Sequence, residues 1–171
     1  AQGKLGFLFP GQGSQYPDMG KDLFATFPEA MDALCLAEKM FATYASDSPD
    51  HNEIQQDLTQ LIFALPPHVQ DRSVSESMLR HTRVAQVAIG AVCLAMTRVL
   101  KRFGVQPRMT CGHSFGELAA MHAAGWMDGT TLLALAAVRG KHMAAADKTG
   151  LDSGSMLAVQ ADPQKIAALL S

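Results

Sequence analysis

Residues 108–118, Arg-Met-Thr-Cys-Gly-His-Ser-Phe-Gly-Glu-Leu, decide the fold of this chain. The first four predict a short strand, and the small residues after the second glycine predict a helix up to Ala124. Between strand and helix stands a G-x-S-x-G pattern over 112–116, in which a sharp turn holds the serine in a strained, exposed position. The pattern therefore marks Ser114 as a candidate nucleophile at the N-terminus of a helix.

Three fixed positions can match by accident in any loop that carries glycines. The predicted strand before Ser114 and the predicted helix after it favour the functional interpretation, because this context gives the pattern its chemistry. Gly112 and Gly116 would let the strand and the helix approach closely. Backbone N–H groups and the helix dipole at that point can stabilise a developing oxyanion.

A second loop follows the first predicted strand. Residues 5–9 form a continuous apolar run, typical of a fully buried parallel strand, and a glycine-rich loop occupies 11–15. Because parallel strands end at the same edge of a sheet, this loop and the Ser114 turn are expected to face one crevice. Taken alone, such a loop is more often only a turn. Neither G-x-G-x-x-G nor the P-loop pattern is present to indicate a nucleotide.

Three further segments carry helix signals. Apolar residues recur at helical spacing over 28–44 and over 83–103, where Gly104 would end the helix, and Asp128 would cap another one. The polar stretch 47–77, with three prolines, predicts loops and one or two short helices. Strands and helices in alternation predict an α/β fold with a parallel sheet.

The C-terminal residues predict a second unit. A small, polar segment over 149–155 is typical of a linker, 156–159 predict a third strand, and Asp162, followed by proline, would cap a helix. We therefore divide the chain into a large subdomain, 1–154, and the beginning of a second one, 155–171. The chain stops inside an apolar helical pattern, which indicates a piece of a longer polypeptide.

Composition argues against several classes of function. The 171 residues are 48% hydrophobic, enough for one sizeable core, and a net charge of −2 offers no attraction for nucleic acid or a membrane surface. No apolar run reaches the roughly 18 to 20 residues that span a membrane, and no signal-peptide core is present. We expect a cytoplasmic protein. Three cysteines without a C-x-x-C pair predict reduced, buried thiols, and six isolated histidines give no metal-site pattern.

Four polar residues are further candidates for a site. Arg139 stands among small and apolar residues, where an arginine either reaches solvent or binds an anion. Gln86, His81 and His113 could contribute hydrogen bonds. Taken alone, each of the four is more often a structural residue than a functional one.

Together the motifs resemble one family, the malonyl-CoA:acyl carrier protein transacylases and the acyltransferase domains of fatty acid and polyketide synthases. The resemblance covers essentially the whole chain, and the segments around Gln86 and Ser114 look most similar to acyltransferase domains of polyunsaturated fatty acid synthases and enediyne-type iterative polyketide synthases. The matching segments, in order, are 9–15 (Phe-Pro-Gly-Gln-Gly-Ser-Gln), the Gln86 segment, 112–117, and 138–141 (Val-Arg-Gly-Lys).

The resemblance implies an α/β-hydrolase-like subdomain with a parallel sheet of four or five strands, and then the start of a ferredoxin-like small subdomain. It implies transfer of a malonyl or related dicarboxylic acyl unit from coenzyme A to the phosphopantetheine thiol of an acyl carrier protein. Neighbouring synthase domains are implied partners, and no bound cofactor or metal is implied. The chemistry would pass through an ester on a serine.

The resemblance also assigns roles to individual residues. Ser114 would be the nucleophile, and the backbone N–H groups of Gln12 and Phe115 would form the oxyanion hole. Arg139 would grip the malonyl carboxylate with two hydrogen bonds. Gln86 would line the acyl pocket, and His113 would shape the site without acting as a base.

One expected residue is missing. Members of the family place the histidine that activates the serine after the small subdomain, and none of the six histidines occupies that position. This chain alone is therefore expected to be impaired. Two other functions stay open: a serine esterase or thioesterase, which needs no carboxylate clamp, and an inactive fragment that docks a carrier protein.

Overall fold

The computed structural model of this chain describes residues 3–45, 57–63, 72–147 and 159–170. Two strands and eight helices lie in these ranges. Their order along the chain is β1 (Gly6–Phe9), α1 (Lys21–Thr26), α2 (Pro28–Ala45), α3 (Leu58–Ile62), α4 (Arg72–Arg80), α5 (Thr82–Arg102), β2 (Met109–Gly112), α6 (Gly116–Ala123), α7 (Gly129–Asp147) and α8 (Pro163–Leu170).

The core is built around α5, which packs between α2 and α7. α5 and α7 approach closely at Gly90 of α5, where a Cβ would lie 3.2 Å from side-chain atoms of Leu133 of α7 and of Phe115. The apolar residues of α5 are buried on nearly every side of its first half. Such all-round burial marks α5 as the central helix of the fold.

By length and composition alone, α5 could cross a membrane. It has 21 residues, and its most apolar window of 18 residues has a mean hydropathy of 1.5, so the expectation that no segment reaches this range is wrong. However, 67% of its apolar window is buried inside the protein, which is typical of a core helix. The helix interior is apolar because α2 and α7 cover it.

The two strands run parallel and are hydrogen-bonded to each other. Gly6 pairs with Met109 and Phe9 with Gly112, so both strands end side by side. The prediction that the first strand is fully buried is wrong, because Leu8 is 82% exposed. Among the described residues this face of β1 has no covering layer, whereas the alternate side chains, such as Phe9, pack against the core.

The predicted helix ends are confirmed where the structure describes them. The Asp128 carboxylate accepts a hydrogen bond from the backbone N–H of Thr131 at 2.7 Å, and this bond lowers the pKa of Asp128. Asp162 accepts one from Gln164 at 2.9 Å and begins α8. Gly104 has a φ of 73° just beyond α5, a backbone conformation that favours glycine.

The second unit stays a prediction. Most of the predicted linker over 149–155 and the predicted third strand over 156–159 lie outside the described residues, which begin again at Val159, outside any strand. The described part of the sheet therefore has two strands. The short helix α3 and the first part of α4 fall in the stretch 47–77, where loops and one or two short helices are predicted, and α4 continues to Arg80.

The three cysteines differ in burial, which gives a simple test of the packing. The prediction that all three are buried is wrong: Cys93 is buried on α5, but Cys35 and Cys111 are exposed. Burial raises the pKa of Cys93 to about 12.

At pH 8, iodoacetamide should therefore modify two thiols of the native chain and the third only after unfolding. Intact mass would show this, and rapid native modification of Cys93 would contradict the α5 packing.

Candidate active site

The turn between β2 and α6 is strained at its serine. Ser114 has a φ of 54°, in the left-handed region that side-chain-bearing residues rarely occupy, and it is exposed. The turn is closed by the N–H of Gly116, which donates to the carbonyl of His113 at 2.9 Å. The strained, exposed serine that the G-x-S-x-G pattern predicts is therefore present.

Two glycines allow this turn to be so tight. A Cβ at Gly112 would lie 2.0 Å from the carbonyl oxygen of Gly116, and a Cβ at Gly116 would lie 2.2 Å from the carbonyl oxygen of Phe9. Neither distance leaves space for a side chain, because real Cβ atoms do not come under 3.0 Å. The close approach of strand and helix that the two glycines predict is confirmed.

The glycine-rich loop lies directly against the serine turn. A Cβ at Gly11 would be 2.6 Å from the carbonyl oxygen of His113 and 3.2 Å from the Cβ of Ser114. The loop holds its own shape, since the Ser14 hydroxyl donates to the Gly11 carbonyl at 2.8 Å. The predicted meeting of the two loops at the carboxyl ends of parallel strands is therefore found.

Two backbone N–H groups beside Ser114 are available to a ligand. Within the described ranges, neither the N–H of Gln12 nor that of Phe115 donates a hydrogen bond to a protein acceptor. Gln12 follows Gly11, which touches the serine turn, and Phe115 follows Ser114 and caps α6. The Phe115 side chain is fully buried, which fixes the position of its backbone. Such a pair of donors can receive negative charge that develops on an oxygen.

A small polar network joins this loop to the core helices. The Gln12 amide donates to the Thr82 hydroxyl at 3.1 Å, and the Gln86 amide donates to the Gln12 oxygen at 3.3 Å and contacts the Met143 sulfur at 3.2 Å. Gln86 is completely buried, and its own oxygen has no hydrogen-bond partner. Sequence reasoning found the two glutamines but missed Thr82 and Met143.

Arg139 lies on α7, one helical turn before Met143 and so on the same side of the helix. Its Nη1 is buried and has no hydrogen-bond partner among the residues that the structure describes. The next residue, Gly140, fits against α5, since a Cβ there would be 3.0 Å from the Cα of Arg83. Arg139 therefore belongs to the same wall as the Gln12 and Gln86 side chains, with a guanidinium nitrogen free for an anion.

One buried arginine was not predicted. Arg83 is 6% exposed, and within the described ranges its Nη1 has no hydrogen-bond partner either. Its side chain lines a very small cavity together with Phe41 and Tyr44 of α2. Arg83 therefore faces α2, whereas its neighbour Thr82 contacts Gln12.

The described histidines do not contact the nucleophile. Across the described ranges, no side chain makes a hydrogen bond to the Ser114 hydroxyl. His113 is exposed and close to Gly11, and His122 contacts the carbonyl of Met127 at 2.9 Å. His51 and His68 lie outside the described residues.

A cavity of about 420 Å³ lies between β1 and α5, has a mainly apolar lining, and includes neither Ser114 nor Arg139. In the part of the chain that the structure describes, no three His, Cys, Asp or Glu side chains come together as metal ligands would. The site therefore consists of the serine turn, the glycine-rich loop and the wall that carries Arg139.

Comparisons with known proteins show the family of this chain. Residues 6–169 match the acyl transferase domain family. The chain belongs to this family. It is 37% identical over 175 residues to the polyketide synthase GfsA of Streptomyces halstedii, covering 99% of this chain and 2% of that protein. It is 36% identical to the mycoketide-CoA synthase of Mycobacterium tuberculosis, covering 100% of this chain and 4% of that one.

Solved structures of the family share the fold. MCAT from Streptococcus pneumoniae has a TM-score of 0.67 and 34% identity, over 84% of this chain and 39% of that one. The acyltransferase domain of the second module of the salinomycin polyketide synthase has a TM-score of 0.63 and 33% identity, over 85% of this chain and 29% of that one. The α/β fold and the family that the sequence resembles are thus confirmed. The acyltransferase chain spans less than half the length of these structures and a few per cent of the synthases.

Proposed function

We propose that this acyltransferase chain supplies the nucleophile that moves a malonyl unit from coenzyme A to the phosphopantetheine thiol of an acyl carrier protein. The observation that carries the proposal is the strained, exposed Ser114, beside two backbone N–H groups and an Arg139 Nη1 that have no hydrogen-bond partner among the described residues. A solved relative supports the partner. This relative is a complex of a type II PKS acyl-carrier protein with its malonyl-transacylase, and it is 29% identical to this chain with a TM-score of 0.65.

In the first step the Ser114 hydroxyl oxygen attacks the thioester carbonyl. A carbon–oxygen bond forms, the carbon–sulfur bond breaks, and coenzyme A leaves as a thiol after taking up the proton that the serine lost. The N–H groups of Gln12 and Phe115 hold the charged oxygen of the tetrahedral intermediate. In the second step the carrier thiol attacks the ester in the same way, which releases Ser114 and forms the new thioester.

The proton on the Ser114 hydroxyl needs a base. Because no described histidine is hydrogen-bonded to Ser114, we propose that the remainder of the parent synthase supplies this base. Both thiols in the reaction arrive on substrates, so the proposal needs no resident cofactor or metal. Neighbouring synthase domains would bring the carrier protein.

Arg139 would select the acyl group. A malonyl carboxylate can accept two hydrogen bonds from a guanidinium, whereas an acetyl group would leave the buried Nη1 unpaired. Since an unsatisfied buried donor costs more than a few apolar contacts return, malonyl should react in preference to acetyl. A serine esterase or thioesterase would need no such clamp, and a fragment that only docks carrier protein would form no ester.

The test compares malonyl-CoA with acetyl-CoA on Arg139 variants. We expect Arg139→Ala to lower the rate of malonyl attachment on the order of 100-fold, with acetyl attachment little changed, because one charge-assisted contact is lost. The rate of malonyl attachment in Arg139→Lys should lie between those of the wild type and Arg139→Ala, since lysine keeps the charge but lacks the planar guanidinium. The rate of mass gain on the intact chain measures both.

Arg108→Ala provides the matched control. Arg108 is exposed and precedes β2, at the opposite end of the strand from Ser114, so its loss should leave the malonyl preference unchanged. An Arg139→Ala chain that still prefers malonyl would exclude the proposed clamp and favour the esterase. A chain that binds carrier protein but gains no malonyl mass would favour the docking fragment.

A further inference from the structure

The side chain of Gln12 is held at both ends of its amide. Its nitrogen donates to the Thr82 hydroxyl at 3.1 Å, and its oxygen accepts from the Gln86 amide at 3.3 Å. Thr82 is the first residue of α5, and Gln86 lies one turn further along. Both anchors of this exposed side chain therefore belong to the most deeply buried helix of the protein.

The hydrogen bonds from Gln12 to α5 matter because, among the described residues, the other hydrogen bonds of this loop stay within the loop. Its internal hydrogen bonds, from Ser14 to Gly11 and from the N–H of Gly13 to the Gln15 side chain, shape the loop but do not anchor it. Gly13, with a φ of 106°, adds backbone freedom right after Gln12. A hydrogen bond to α5 therefore restrains the residue next to Gly11, which touches the serine turn.

The two anchors are not equal. The Gln86 amide donates both to the Gln12 oxygen and to the Met143 sulfur, which is a weak acceptor. Of the two hydrogen bonds that join Gln12 to α5, the one from Gln86 is the longer, at 3.3 Å. The Thr82 hydroxyl makes the shorter bond, at 3.1 Å, and this bond lies closer to solvent. By hydrogen-bond length, Thr82 is thus the better anchor.

We infer that Thr82 is a positioning residue, whose hydroxyl acts through the Gln12 amide to hold the Gln12 backbone N–H where it can receive the oxyanion. This inference rests on the proposed function of Ser114. Thr82 itself touches neither the serine nor the acyl group. Its effect should therefore appear in the step where the oxyanion forms and not in the binding of the malonyl carboxylate.

The experiment compares Thr82→Val with Thr82→Ser. Valine has nearly the volume of threonine but cannot accept the hydrogen bond, whereas serine keeps the hydroxyl. We expect Thr82→Val to slow malonyl attachment at saturating malonyl-CoA about tenfold, with the half-saturating concentration changed less than about twofold. Thr82→Ser should recover most of the rate. Far-UV circular dichroism would confirm that α5 is intact in both.

A second measurement does not depend on acyl transfer. The ¹⁵N relaxation order parameter of the Gln12 amide should fall in Thr82→Val and return in Thr82→Ser, because the hydrogen bond between Thr82 and Gln12 limits motion on the nanosecond timescale. Unchanged order parameters in Thr82→Val would overturn the inference, as would equal loss of rate in both variants. If the wild-type sequence gains no malonyl mass even with the remainder of the parent synthase present, the proposed function fails, and the order parameters alone decide whether Thr82 positions Gln12.

Discussion

Ser114→Ala and Ser114→Gly should both fail to gain the malonyl mass, and Ser114→Gly should be the more stable of the two by about 1 kcal/mol. Both substitutions remove the only hydroxyl at the turn between β2 and α6, so no ester can form there. They differ in backbone freedom. At a φ of 54° alanine keeps the steric strain of the native serine, whereas glycine adopts this conformation without it.

Intact mass after malonyl-CoA and urea unfolding curves would test the two parts separately. Ser77→Ala, which removes an exposed serine from α4, is a control that should leave both readouts unchanged. A malonyl adduct on Ser114→Ala would place the ester on another residue. A Ser114→Gly chain less stable than Ser114→Ala would show that the turn is not strained, and the nucleophile assignment would lose its main structural support.

The sequence alone predicts the parts of the site that are local. The G-x-S-x-G pattern predicts the serine turn because its two glycines and its serine all lie within that turn. Residues that are close in sequence are therefore also close in the structure. The helix over 28–44 and the caps at Asp128 and Asp162 are predicted for the same reason. Periodicity and capping are interactions between near neighbours.

Contacts between distant residues escape this reasoning. Thr82 contacts Gln12 across 70 positions, and no pattern in either segment indicates the other. The exposure of Leu8 and Cys111 has the same origin. An apolar strand predicts burial only if another layer covers it, and that depends on packing that the run of residues does not contain. Arg83 is the opposite case, a charged residue that the crossing of α5 with α2 and α7 buries.

Both strands and α6 pack tightly against one another at the serine turn. Phe9 ends β1, and its carbonyl oxygen lies where a Cβ on Gly116 would stand. Gly112 ends β2 under the first residue of α6 in the same way. Any atom added at either glycine must therefore separate a strand from the helix, and the strain at Ser114 depends on that contact.

Gly112→Ala should consequently destabilise the chain by more than about 4 kcal/mol, beyond the range of most single substitutions. The added Cβ would lie 2.0 Å from the Gly116 carbonyl oxygen and 2.4 Å from the Glu117 nitrogen, which are backbone atoms that no rotamer change can move. The free energy of unfolding of a whole domain is typically about 5 to 15 kcal/mol. A loss of this size should therefore leave little or no cooperative unfolding transition.

Urea unfolding followed by circular dichroism would measure the effect against Gly3→Ala. No atom lies within 4 Å of a Cβ at Gly3, so that variant should stay within about 0.5 kcal/mol of the wild type. If Gly112→Ala were folded and equally stable, the strand and the helix could separate without cost. The contact between β2 and α6 would then not be what holds Ser114 in its left-handed backbone conformation. The strained geometry from which we infer the reactivity of Ser114 would lose its structural cause.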